Sequence, residues 1–360
     1  MLTLSGCLLE FVIHLENRGG YHTMRVLIQS YNTVCQNKSG GMQIRVEKTA
    51  NALQNIGIDV SCFNAFQSNI NDCDILHIFM LDIENYALIR CAKAAGKKIV
   101  ISSVINLLNG WKIDLYRYIN RLPLATTYKL LFEILCMADA VIVETDKEAA
   151  FVKKHYKVAG EKIRIIPNGS DWINDCDSSI YKCIDRNSEY ALIVGRFDEN
   201  KNQLNVIRAL KNTGIQTAFI GGGNHSGASY YRKCIQEAKP YSNFHFLGWV
   251  DHKSELIKSA YANCKTLIVP SYSETFGLTI VEGGMAGANL AVSKTLPILD
   301  YNVFTEAELF MPDDINSIKT AVINAMKKPK SETMKENIKR FFSWESVAQK
   351  HMELYLEILK

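Results

Sequence analysis

Short runs rich in valine and isoleucine recur along the chain, separated by longer segments of helical period, and this alternation limits what the chain can fold into more than any other feature. A strand covered on both faces reads as an unbroken apolar run, the pattern of a parallel sheet between layers of helix. In the first half, strands are expected near residues 25–29, 59–63, 75–79, 98–102, 140–143 and 163–166. Helices are expected between them, over 42–55, 83–95, 115–137 and 147–155. A polar stretch without period, 171–189, reads as a linker. The alternation then restarts, with strands near 190–194, 216–220, 243–247, 266–269 and 289–292.

The fold class is therefore α/β, with two doubly wound Rossmann-like domains. A length of 360 residues suits two cores better than one. The expected boundaries are 24–170 for the first domain, 171–189 for the linker and 190–342 for the second domain. A closing helix follows over 343–360, with Ser343 as its cap and Val347, Met352, Leu354, Tyr355 and Ile358 on its apolar face. Ligands of such sheets bind outside the carboxyl ends of the strands, so the expected site lies where two such domains face one another.

Composition excludes several classes. The chain is 48% hydrophobic and 22% charged, without a low-complexity tract, which argues against disorder. Its ten cysteines contain no C-x-x-C pair and stand in apolar stretches, as buried reduced thiols of a cytoplasmic protein would. The apolar start, residues 1–15, has no basic residue before it and carries Glu10, so it does not read as a signal peptide. Residues 1–23 read as a poorly ordered extension preceding the first strand. No segment offers about 20 uninterrupted apolar residues to span a bilayer. A formal charge of +4 does not argue for nucleic acid. Yet residues 90–129 hold eight cations (Arg90, Lys93, Lys97, Lys98, Lys112, Arg117, Arg121 and Lys129) against one acid, Asp114, among Trp111, Tyr116 and Tyr118. That mixture suits either a peripheral contact with anionic lipid on the inner membrane face or a solvated helix face.

The chemistry is concentrated in two strings. Pro270-Ser-Tyr-Ser ends a strand, and Glu274-Thr-Phe-Gly-Leu-Thr-Ile-Val-Glu282 follows. Phe276, Gly277 and Leu278 open a helix whose free N–H groups and dipole favour a diphosphate. Glu282 is placed two turns beyond Glu274 on a similar face, where a carboxylate could grip a pair of ribose hydroxyls. The second string, Gly195-Arg196-Phe-Asp-Glu-Asn-Lys201-Asn202, puts two cations at a strand's carboxyl end, where they could neutralise a diphosphate leaving group without a metal.

Together with Ile166-Pro-Asn-Gly169, Phe246-Leu-Gly-Trp-Val250 and Ser39-Gly-Gly41, these strings resemble the retaining family 4 glycosyltransferases, in that family's order and over residues 25–360. The resemblance implies a GT-B fold, a closing helix that crosses back to the first domain, no cofactor, no metal and retention of anomeric configuration. The implied substrates are a nucleotide-sugar donor and a glycan or lipid-linked acceptor, as in polysaccharide or glycolipid assembly. It implies that Glu274, Arg196 and Lys201 are catalytic, with Arg196 and Lys201 on the diphosphate, Glu282 on the ribose and Glu274 on the transferred sugar. Gly41 would offer its N–H to the phosphates from the opposite domain, and Leu247 and Gly248 fall where the family holds the base. Gly195, Gly222, Phe276, Gly277 and Leu278 complete the implied donor site.

Two departures stand out. The segment Ile101-Ser-Ser-Val-Ile-Asn106 lacks the histidine that often contacts the donor sugar, which passes that contact to Ser103 or Asn106. Thr295-Leu-Pro-Ile-Leu-Asp300 replaces the usual Gly-Gly-x-Pro-Glu stretch. His77, alone on an apolar strand, reads better as a core residue than as a ligand contact. Asp72-Cys-Asp74 and Asp175-Cys-Asp177 lack the context of a metal-binding pair. Competing readings are a non-catalytic sugar-nucleotide-binding subunit and a nucleotide-sugar epimerase.

Overall fold

The computed structural model describes residues 14–17, 20–34, 41–105, 110–120, 126–171, 178–223, 227–252 and 254–360. The chain divides into two compact units, Met1–Gly169 with Trp344–Lys360, and Ser170–Ser343. A short antiparallel hairpin, β1 (His14–Asn17) with β2 (Gly20–Thr23), forms inside the segment expected as an extension. The remainder of that segment up to residue 13, with residues 18–19, lies outside the described residues.

The first unit is built on β3 (Arg25–Gln29), β4 (Asp59–Cys62), β5 (Ile75–Phe79), β6 (Lys98–Ser102), β7 (Ala140–Val143) and β8 (Ile163–Ile165). They pair in the order β4-β3-β5-β6-β7-β8, parallel throughout. Alternate residues face opposite layers, as the two-residue period of a strand requires. Val26, Ile28, Ile75 and Val100 join one core, Leu27, Leu76, Ile99 and Val141 the other. The helices are α1 (Gly41–Asn55), α2 (Tyr86–Ala94), α3 (Gly110–Ile119), α4 (Thr127–Met137) and α5 (Asp146–Phe151). The single helix expected over 115–137 is thus two. The sequence between them contains Pro123, a residue type with no N–H to continue a helix, and Thr126 starts α4 by accepting from the Lys129 N–H at 3.1 Å.

The second unit contains β9 (Tyr190–Val194), β10 (Gln216–Ile220), β11 (Phe244–Phe246), β12 (Thr266–Val269), β13 (Asn289–Ser293) and β14 (Glu308–Phe310). Their order is β11-β10-β9-β12-β13-β14, again all parallel. The direction of winding reverses between β9 and β12, and that junction is the switch point of the sheet. Strand β14 was not expected, because three residues with Leu309 exposed carry no readable apolar run. Helices α6 (Gln203–Leu210), α7 (Ala228–Ala238), α8 (Glu255–Asn263), α9 (Leu278–Met285), α10 (Ile315–Lys327) and α11 (Glu332–Phe342) cover it. Part of the expected linker is core: Ile180 and Ile184 are buried in this unit, and the Ile180 N–H donates to Ser259 Oγ at 3.2 Å.

Four cysteines correct the expectation of burial. Cys73, Cys234 and Cys264 are buried, whereas Cys62, Cys91, Cys136 and Cys183 are exposed. Cys62 ends an edge strand, and Cys91 and Cys136 stand on outer helix faces, which apolar neighbours in sequence do not reveal. Cys7, Cys35 and Cys176 lie outside the described residues.

The closing helix, α12 (Trp344–Leu359), belongs to the first unit. Val347, Ala348, Met352, Leu354 and Tyr355 are buried in the same core as Leu53 of α1. His77, fully buried on β5, lies 2.6 Å from the Tyr355 hydroxyl through Nδ1 and 2.8 Å from Ser102 Oγ through Nε2. Burial drives its pKa well below the usual value, so the ring is neutral, with one nitrogen donating and the other accepting. His77 is therefore the satisfied core residue that the strand pattern suggests, and it ties α12 to the sheet. Tyr355→Phe should leave one buried ring nitrogen unpaired and cost about 1–3 kcal/mol. Leu354→Ala should cost about 2–5 kcal/mol through its cavity. Urea unfolding followed by a signal from the first unit measures both, and two variants as stable as the parent would remove α12 from its core.

Candidate functional site at the second unit's switch point

Strand β9 delivers the chain to Gly195, where a loop must turn beneath the end of β10. The Gly195 N–H donates to Ile220 O at 2.9 Å, and a Cβ on Gly221 would lie 1.9 Å from Gly195 O. Only glycine fits at 221, whose φ is +139°. The buried ring of Phe197 anchors the same loop, and its N–H donates to Gly222 O at 3.1 Å. Asp198 then caps a short turn by accepting from the Lys201 N–H at 3.0 Å.

Two asparagines fasten this loop to the end of β12. The buried amide of Asn202 donates to Pro270 O at 3.2 Å and to Pro312 O at 2.8 Å. Asn200 donates to Ser273 O at 2.8 Å and accepts from the Ser273 N–H at 3.1 Å. The junction of β9 and β12 is thereby spanned, and Lys201 meets Glu274. Lys201 Nζ and Ser271 Oγ each lie 2.5 Å from Glu274 Oε1, with the lysine 22% and the glutamate 15% exposed. Arg196 stands apart from this cluster, 70% exposed and 3.9 Å from Asp198.

Gly277 takes the left-handed conformation, φ +106°, and starts α9. Glu274 therefore lies in the loop before the helix, and only Glu282 is on it. This corrects the reading that set both carboxylates along one helix face. Phe276 is buried among core side chains, so its ring offers nothing to a ligand, and Leu278 packs against the same core. Glu282 accepts from the Tyr261 hydroxyl at 2.6 Å through Oε2, and its Oε1 lies 3.9 Å from His252 Nε2. Burial raises the Glu282 pKa, and the Tyr261 hydrogen bond and the nearby His252 oppose that rise.

The segment expected to meet a base is more nearly closed than its sequence suggests. Leu247 packs against the core and its N–H donates to Phe219 O at 2.9 Å, while the Gly221 N–H donates to Gly248 O at 2.7 Å. The exposed side chain here is Trp249, 71% accessible and next to Gly222. Gly41 belongs to the first unit, where it is the exposed first residue of α1; Ser39 and Gly40 lie outside the described residues. Ser103, expected to replace the missing histidine, is fully buried and donates to Ile142 O at 2.9 Å and Glu148 Oε1 at 3.1 Å. Its hydroxyl serves the fold, and Asn106 lies outside the described residues. Sequence reasoning missed Ser271, Asn200, Tyr261 and His252. Their common signal is a polar residue within a few positions of a strand end or on the neighbouring helix.

Asp74 accepts from the Arg25 backbone at 2.9 Å and guanidinium at 3.1 Å, so it serves an ion pair, and Asp175 and Asp177 lie outside the described residues. In the basic segment, Arg117 pairs at 3.4 Å with Asp114, the one acid already counted there, and Lys93 pairs at 3.0 Å with Asp139 from outside it, which offsets one further cation. Helix α3 nevertheless exposes Trp111, Leu115 and Tyr118, at 64%, 49% and 59%, with Lys112 over the Trp111 ring. Tyr116 turns the other way and stacks on Tyr128. Among the described residues no helix is long and apolar enough to cross a membrane.

Comparison with known proteins agrees with the two-sheet fold. Residues 182–341 match the family model of glycosyl transferases group 1, and residues 8–171 match that of glycosyltransferase family 4. An uncharacterized glycosyltransferase of Methanocaldococcus jannaschii is 24% identical over 352 residues, covering 89% of this chain and 95% of its own. Sucrose-phosphate synthase of Thermosynechococcus elongatus superposes with a TM-score of 0.70 at 19% identity, covering 94% of this chain and 99% of that one. HepE of Anabaena, solved in complex with UDP, does so with a TM-score of 0.69 at 16% identity, covering 92% and 99%. With a glycosyltransferase family model matched in each unit and the fold shared with solved structures, the chain is a glycosyltransferase of the GT-B fold, its second unit matching the group 1 model and its first the family 4 model.

Proposed function

We propose that this enzyme transfers a sugar, with retention and without a metal ion, from a nucleotide-sugar donor to a glycan or lipid-linked acceptor in cell-surface polysaccharide or glycolipid assembly. The observation that carries the reading is the Lys201–Glu274 contact beside the start of α9. A cation and an acid held together at a strand-end junction can separate their tasks when a donor arrives. Lys201 and the exposed Arg196 take the diphosphate, aided by the free N–H groups of α9, while Glu274 turns to the transferred sugar. The positive charge is in place before the leaving group develops its own, so little reorganisation is needed in the transition state. Glu282, further along α9, takes the ribose. HepE was solved in complex with UDP, which supports a nucleotide donor, and retention rests on the likeness of the Glu274 to Glu282 string to retaining enzymes.

The acceptor side is read from α3. Trp111, Leu115 and Tyr118 recur at helical spacing on its exposed face, beside Lys112, and an aromatic and basic face of this kind fits an anionic leaflet on the cytoplasmic side.

Arg196→Ala and Lys201→Ala should each lower kcat/KM by about a hundredfold with the fold intact, and near-normal rates in both would remove these side chains from the site. Transfer should continue at full rate in excess EDTA. A loss that Mg²⁺ or Mn²⁺ restores would end the metal-free reading. Sedimentation with vesicles should show binding to anionic but not zwitterionic lipid, weakened by salt as the screening length falls and lost in a Trp111→Ala, Leu115→Ala, Lys112→Ala triple variant. Equal partition onto both lipids, or onto neither, would leave α3 a solvated face.

A further inference from the structure

Glu282 is held from inside the protein. Tyr261, on α8, is 2% exposed, and its hydroxyl donates to Glu282 Oε2 at 2.6 Å. Burial and the Glu282 charge push the phenol pKa well above its usual value, so the tyrosine is a donor at any working pH. The other carboxylate oxygen, Oε1, lies on the side of His252, whose ring is half exposed. The two oxygens thus face different surroundings, one locked inward by a buried hydroxyl and one turned toward an accessible side chain.

A glutamate has three side-chain torsions, and an unanchored one at the mouth of a site would sample several of them. Here the second oxygen is fixed by a donor that is itself immobile. We propose that Tyr261 is the positioning residue of ribose recognition, fixing Glu282 through Oε2 so that Oε1 is the oxygen offered to the ribose hydroxyls of the donor. The proposal rests on the nucleotide-sugar reading above and sharpens it, because the carboxylate then meets the ribose by one edge oxygen rather than clasping the diol with both. It also gives Tyr261 a second task. A charged carboxylate in a buried setting needs a donor to stay ionised, and the groups that act on it are few. Tyr261 from α8 and His252 from the segment after β11 favour the charge, while Asp171, in the segment entering the unit, opposes it. Without the hydroxyl, Glu282 should take up a proton at higher pH and lose its strength as an acceptor for the ribose.

The test is calorimetric titration of the full chain with UDP, GDP and ADP, and with pyrophosphate, between pH 5.5 and 8.5. The variants are Tyr261→Phe, Glu282→Gln and, to remove both groups that favour the Glu282 charge, Tyr261→Phe with His252→Ala. Thermal melting confirms that each is folded. Tyr261→Phe should weaken the preferred nucleotide by about tenfold at pH 7, as loss of a hydrogen bond to a charged group does, and by more as pH falls. The double variant should lose binding at higher pH still, because His252 also favours the Glu282 charge, Glu282→Gln should bind weakly with no slope, and pyrophosphate should bind all of them alike. In turnover, KM for the donor should rise while kcat changes little. Nucleotide binding by Tyr261→Phe that matches the parent in strength and pH profile would overturn the proposal and leave the donor reading standing. Equal weakening of nucleotide and pyrophosphate would also overturn it, by showing general damage to the site. A parent protein that binds none of the three nucleotides would overturn the donor reading and the proposal with it.

Discussion

A parallel strand covered on both faces takes a polar side chain in mid-strand only where buried partners satisfy it, as Tyr355 and Ser102 satisfy His77. The charged groups with chemical potential in the second unit accordingly sit beyond the strand ends, Arg196, Lys201 and Glu274 in loops and Glu282 on α9, and the precision of the first three depends on how firmly those loops are held. Asn200 and Asn202 supply the hold by tying the loop after β9 to the end of β12 through side-chain amides and carbonyls. These contacts bridge the point where the winding reverses, and there two loops of opposite origin can bring a lysine and a glutamate within 2.5 Å. Without such ties, Lys201 would be one more solvated cation on a flexible stem.

The two sheets show how small a change in order relocates that point. Both have six parallel strands, but the first reverses between β3 and β5 and the second between β9 and β12. In the first unit, the ends of β5 and β6 are closed by hydrogen bonds of their own: Ser30 Oγ donates to Phe79 O at 2.9 Å, and Ser103 turns inward to Glu148. Glu148 accepts from Ser103, from the Ile105 N–H at 3.3 Å and from the Glu144 N–H at 2.7 Å, while Arg45 lies 2.5 Å from Glu144. Desolvation and the neighbouring Glu144 push Glu148 up to about 7, against the donors that favour its charge. This buried group shapes the loops of the first unit without reaching a surface.

The layering was legible from the sequence because Ala140–Val143 is apolar at every position and Ile75–Phe79 at every position but His77, a signal that survives any tertiary context. Arg196, Lys201, Glu274 and Glu282 could be singled out because strand ends are marked by the collapse of that signal into glycine and charge. Direction was not legible. Nothing in the string around Ser103 shows that its hydroxyl points into the core, and nothing in Phe246-Leu-Gly-Trp-Val250 separates the packed Leu247 from the exposed Trp249. Pairings between distant positions, such as Tyr261 with Glu282, need the third dimension because helix α8 and helix α9 meet only after both have packed on the sheet.

The closing helix has a consequence for the order of events at the ribosome. Residues up to 169 emerge before the second unit, yet the core they form is missing Val347, Leu354 and Tyr355 until residues 344–360 have been made. The intervening unit suffers no such delay. Its first and last residues already touch, Ser170 donating its N–H to Phe342 O at 2.9 Å, so everything it needs lies between them. Domains of a growing chain commonly fold from the amino end. Here the later-made unit can close first, while the earlier one waits with an uncovered apolar face beside α1, a span of synthesis during which binding by a chaperone would be useful.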